Sequence, residues 1–120
     1  MQIASLGGVS GAAANARFAA AATFYPGCAG LPGARLQIPT LILIGAVDTV
    51  TPAAACEQLA RSQPGGEAKL IVYPGAGHVF DDPAFRGGRQ LMSMWLEFDQ
   101  KAAAESKVAL RNFLAAEIGR

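Results

Sequence analysis

Two short apolar runs, each broken by a loop that carries one ionisable group, constrain this chain more than any other feature. Leu41-Ile42-Leu43-Ile44-Gly45 leads into Asp48, and Leu70-Ile71-Val72-Tyr73-Pro74 leads into His78, the only histidine among 120 residues. Runs of this length that do not alternate and stop at Gly or Pro suit strands buried on both faces. A third run lies upstream, so strands are expected over residues 19–25, 39–45 and 68–73. Between the last two, Pro52 to Ser62 reads as a helix. Thr51 fits its N-cap and Pro52 its first position, where the missing N–H loses nothing. From about Leu91 to Ile118 the chain is expected to be helical again. There Leu110, Phe113, Leu114 and Ile118 recur at three- and four-residue steps and make one apolar stripe. Strand–helix–strand–helix alternation predicts an α/β fold, a parallel sheet of about three to four strands with flanking helices. Open parallel sheets bind ligands beyond the carboxyl ends of their strands, so Asp48 and His78 should share one rim.

Composition narrows what such a rim could serve. Half the chain is hydrophobic (52%) and only 16% is charged, which suits a packed core within a single domain. A net charge of +1 with no basic cluster gives no footing for a nucleic-acid or membrane-surface partner. No apolar stretch reaches the roughly 18 residues that span a bilayer. The Ala/Gly-rich start lacks a basic leader, and Gly7, Gly8, Gly11, Asn15 and Arg17 interrupt any apolar segment, so a signal peptide is not expected. Cys28 and Cys56 are too few to define a disulfide framework. They are read as two free or buried thiols in a reducing compartment, and the chain as cytoplasmic. One histidine and two separated cysteines do not make metal-ligand spacing, so neither a metal nor a cofactor is expected.

Each candidate group has a structural alternative. Asp48 could simply fix a turn, but with Thr51 assigned to the helix cap it is available to orient another group. His78 could be an ordinary hydrogen-bonded histidine. Its loop, Gly75-Ala76-Gly77-His78, permits sharp turns that aim a ring over the rim, and an imidazole shuttles protons at neutral pH. Asp81 and Asp82 compete for the acid role, although Asp82 before Pro83 reads better as the cap of a short helix. A nucleophile must come from upstream, where a strained strand-to-helix turn wants small residues two positions either side of the serine. Ile3-Ala4-Ser5-Leu6-Gly7-Gly8 supplies half of that pattern, with glycines behind Ser5 and Ile3 where glycine is wanted. Ser10, Ser62 and Ser93 lack the spacing or fall at or within helices, and Cys28 is the alternative nucleophile. Ser5, Asp48 and His78 run in the chain order of an α/β-hydrolase triad.

Taken together these segments resemble the dienelactone hydrolase family of α/β-hydrolases, in its C-terminal half. The match runs from Ser5-Leu6-Gly7-Gly8 through Phe24-Tyr25-Pro26-Gly27-Cys28 and Pro39-Thr40-Leu41-Ile42-Leu43-Ile44-Gly45 with Asp48 and Pro52. It continues through Cys56 to Tyr73-Pro74-Gly75-Ala76-Gly77-His78-Val79-Phe80-Asp81. The resemblance implies a partial α/β-hydrolase fold, with residues 1–120 as the C-terminal portion of one domain. It implies that Ser5 attacks a small ester or lactone, with His78 as base and Asp48 orienting the imidazole. The N–H of Leu6 would be one oxyanion donor. Three departures stand out. The name-giving enzymes of the family carry cysteine at the elbow, so Ser5 points to its broader esterase members. Ile3 replaces the elbow glycine. The family's first strands and second oxyanion donor precede the elbow, upstream of where this chain begins. That departure together with Ile3 supports a second expectation, a truncated and inactive remnant serving as an interaction module. That second expectation predicts self-association through the open sheet edge, or poor solubility.

Overall fold

The computed structural model describes residues 2–4, 18–30 and 36–118. Four strands, β1 (Gln2–Ala4), β2 (Phe18–Phe24), β3 (Thr40–Gly45) and β4 (Ala68–Tyr73), lie side by side in chain order and pair in parallel throughout. The sheet is the α/β architecture expected from the alternation of elements.

β3 organises the molecule. It pairs with β2 from Ala21↔Thr40 to Phe24↔Leu43 and with β4 along its whole length, from Thr40↔Ala68 to Gly45↔Tyr73. All six of its residues are buried. Successive strand side chains point to opposite faces, so Leu41 and Leu43 enter one core and Ile42 and Ile44 the other. On the second face lies helix α1 (Ala53–Arg61), packing Ala53, Cys56 and Leu59 against Ile42 and Ile44. On the first lies helix α2 (Gln100–Ile118), with Ala102 and Phe113 buried and Leu110 and Leu114 packed beside them. Leu110, Phe113 and Leu114 of the expected apolar stripe therefore lie on the docking face of α2, while the Ile118 side chain lies outside what the structure describes. Removing a side chain such as Phe113 from water contributes about 1.5–3 kcal/mol.

Three expectations need correction. The helical reading from Leu91 fails: β5 (Arg89–Leu91) and β6 (Met94–Leu96) form an antiparallel hairpin, and α2 begins only at Gln100. Gly87 and Gly88, both at positive φ (82° and 83°), break the chain before the hairpin, and Trp95 lies so close to Gly88 that a Cβ there would collide with the indole. The first turn of α2 is capped by Asp99, whose Oδ1 accepts from the Ala102 amide at 2.9 Å. Thr51 is not the cap of α1: Pro52 holds the N-cap position and no side-chain hydrogen bond closes that end. Lastly, Cys28 and Cys56 are joined in a disulfide, with Cα atoms 5.0 Å apart, where free thiols were expected. The two residues come together because the 3-10 turn Cys28–Gly30 that follows β2 lies against α1, a proximity that spacing does not reveal. Cys28 has no thiol to offer as a nucleophile.

Candidate active site

The loops after β3 and β4 are stitched together before any side chain is considered. The Ala46 amide donates to the Tyr73 carbonyl at 2.9 Å, and the Val47 amide to the Ala76 carbonyl at 3.0 Å. This close crossing explains Gly45, where a Cβ would run into the Ala76 carbonyl. The register of β3 with β4 thus delivers Asp48 and His78 to the same rim.

There His78 Nδ1 lies 2.9 Å from Asp48 Oδ2. The Asp48 side chain is fully buried and the imidazole is 19% exposed, so the ring forms the boundary between carboxylate and solvent. Burial of a carboxylate requires hydrogen-bond partners, and Asp48 has four contacts. Its Oδ1 accepts from the amides of Val50 and Thr51, both at 2.8 Å. Its Oδ2 faces the imidazole and the Thr51 hydroxyl at 2.9 Å. Asp48 therefore fixes the turn and addresses the histidine, one oxygen for each. Since an ionised carboxylate only accepts, His78 carries its proton on Nδ1 and leaves Nε2 as the free basic nitrogen.

An aromatic ring also packs against the imidazole. Tyr25 meets His78 edge-on, ring centres 4.6 Å apart and planes at 62°. The Tyr25 backbone turns at φ 40°, its amide donates to the Leu43 carbonyl, and its hydroxyl donates to Asp81 Oδ1 at 2.8 Å. Burial first, then the Asp81 hydrogen bond and the charges of Asp81, Asp82 and Asp48, push the Tyr25 phenol well above its ordinary value. Asp81 serves Tyr25 and Asp82 caps the 3-10 turn Pro83–Phe85 through the Ala84 amide, so Asp48 is the acid beside the imidazole. Val79 at φ 57° reverses the chain and sends Phe80 into the core, where it packs on Tyr73, Tyr25 and Phe24. The His78 backbone also bridges Leu96 of β6.

A cavity of about 300 Å³ is lined by Val47, Thr49, Gly75, Gly77, Trp95, Glu97, Phe98 and Asp99, which include chain neighbours of Asp48 and His78 but neither member of the pair. That volume is at the lower end of small-molecule pockets. Ser5 and Leu6, the expected nucleophile and oxyanion donor, lie outside the described residues. Sequence reasoning missed Thr51 and Tyr25 as neighbours of the pair. A hydroxyl residue before proline gives the same local signal whether it caps a helix or turns back to a carboxylate. Among the described residues no group of His, Cys, Asp and Glu could hold a metal ion, and no helix is long and apolar enough to cross a membrane.

A model of the dienelactone hydrolase family matches residues 6–118 of the chain. No curated protein matches it.

Proposed function

The chain belongs to the dienelactone hydrolase family, and from that premise we propose a serine hydrolase that cleaves a small ester or lactone through an acyl-enzyme. The observation that carries this reading is the 2.9 Å contact from His78 Nδ1 to the buried Asp48 Oδ2. In the proposed cycle the Ser5 hydroxyl attacks the substrate carbonyl while His78 Nε2 takes its proton. Asp48 offsets the positive charge that develops on the imidazole. The oxyanion is met by the Leu6 amide, a donor worth roughly 10²–10³ in rate. Collapse of the tetrahedral species returns the proton to the departing alkoxide, and water, activated by the same nitrogen, releases the acid. The cavity lined by the chain neighbours of Asp48 and His78 is the proposed seat of the substrate, and its size favours a small one.

We also place the chain in an oxidising compartment, against the cytoplasmic expectation, because the Cys28–Cys56 disulfide would not persist among cytosolic reductants.

A fluorophosphonate probe tests the main reading. It should label the wild-type chain at Ser5, and Ser5→Ala should abolish both labelling and hydrolysis of p-nitrophenyl acetate. Folded protein that neither labels nor turns over the ester would overturn it.

A further inference from the structure

We infer that Thr51 is a positioning residue that ties the carboxylate of Asp48, the imidazole of His78 and the backbone after β2 into one hydrogen-bonded unit. The inference rests on the hydrolase reading for its catalytic consequence, but its geometry stands apart from it. Thr51 Oγ1 lies 2.9 Å from Asp48 Oδ2, 3.2 Å from His78 Nδ1 and 3.2 Å from the Tyr25 carbonyl oxygen. No other side chain among the described residues touches both members of the pair through a hydroxyl.

The hydroxyl has one hydrogen and two acceptors for it, Asp48 Oδ2 and the Tyr25 carbonyl. The carboxylate contact is shorter and charge-assisted, so the hydrogen goes there. The Oγ1 lone pairs are then available to His78 Nδ1–H, which Asp48 Oδ2 and Thr51 Oγ1 share. Rotation of the imidazole away from Asp48 would break both contacts at once, and rotation of the carboxylate would break the Thr51 donor as well. The Tyr25 carbonyl sets the third corner. Its segment is fixed to α1 by the Cys28–Cys56 disulfide, while Thr51 leads into that helix through Pro52. A residue serving only as a helix cap would direct its hydroxyl at the first amides of α1. Here that end of the helix has no side-chain cap.

Because His78 is the sole histidine, its ring nitrogens give one unambiguous set of NMR signals. Thr51→Val keeps the β-branched shape and the amide that Asp48 Oδ1 holds, and removes only the hydroxyl. With p-nitrophenyl acetate, Thr51→Val should lower kcat about tenfold with KM little changed, the loss of one hydrogen bond to a charged group. It should also speed solvent exchange of the His78 Nδ1 proton, and Thr51→Ser should restore both. Unchanged kcat and unchanged Nδ1–H exchange in Thr51→Val would overturn the inference, as would a Thr51→Ser variant as impaired as Thr51→Val. Should the wild-type chain neither hydrolyse the ester nor label with fluorophosphonate, the hydrolase reading fails. Altered Nδ1–H exchange in Thr51→Val, reversed in Thr51→Ser, would then still support the link between Thr51 and the pair.

Discussion

Asp48 does two jobs with two oxygens, and this division decides how the site responds to substitution. Asp48→Asn can still present an oxygen to the Val50 and Thr51 amides, so the turn should survive. Its amide nitrogen then faces His78 Nδ1, which must give up its proton to accept, and Nε2 ceases to be the base. Hydrolysis should fall by roughly 10⁴ in kcat, with an unchanged circular dichroism spectrum, because the imidazole is then held in the wrong tautomer. The two tyrosines offer a separate test. Burial holds Tyr25 and Tyr73 above their ordinary value of 10.0, with the Asp81 contact adding to Tyr25 and the Glu105 charge to Tyr73. In the unfolded chain both phenols ionise near pH 10, whereas the folded chain keeps them protonated to higher pH. The unfolded state therefore binds fewer protons above pH 10, and stability should be lost as pH rises through that range. Tyrosinate absorbance at 295 nm and pH 10.5 should be lower in the folded protein than after adding urea. Absorbance at that pH equal to that of the unfolded chain would contradict the burial argument.

At the scale of elements, β3 was legible and the segment after Gly87 was not. β3 is buried on both faces, so its sequence is a continuous apolar run with only one reading. The segment 89–96 offers three-residue strands whose pairing depends on Trp95 covering Gly88 and on Leu96 bridging His78, contacts that leave no period in the sequence. The end of β3 makes its own prediction. Gly45→Ala places a methyl group against the backbone carbonyl of Ala76, and backbone cannot swing aside as a flexible side chain can. The β4 loop that carries His78 must shift instead. The variant should lose about 1–3 kcal/mol in urea unfolding and most of its ester turnover. A variant as stable as the parent would mean that the loops are less tightly stitched than their hydrogen bonds indicate.

For the molecule as a whole, the sheet divides two cores, and the disulfide closes the one beneath α1. A bridge between residues 28 positions apart removes freedom from the unfolded chain, worth about 2–4 kcal/mol. Reduction should lower the urea midpoint accordingly, and Cys28→Ser with Cys56→Ser should reproduce the loss. Intact mass should rise by two iodoacetamide adducts only after reduction; labelling without reductant would contradict the bridge. The same reduction frees the segment that carries Tyr25, so His78 should lose part of its packing and turnover should fall with stability.

Strands β2, β3 and β4 and the placement of one acid and one imidazole just beyond β3 and β4 follow from the amino-acid sequence by itself. Burial on both faces imposes an apolar run, and a Gly or Pro must end it. Parallel pairing in chain order then places both groups on one rim. What only the tertiary structure decided is what each group touches. Thr51 turned from the helix end to the carboxylate, Tyr25 closed on the imidazole, and Cys28 met Cys56. The direction of a side chain is set by the elements packed around it, and those come from distant parts of the chain. Local sequence records which groups reach the rim; long-range packing decides how they are held there.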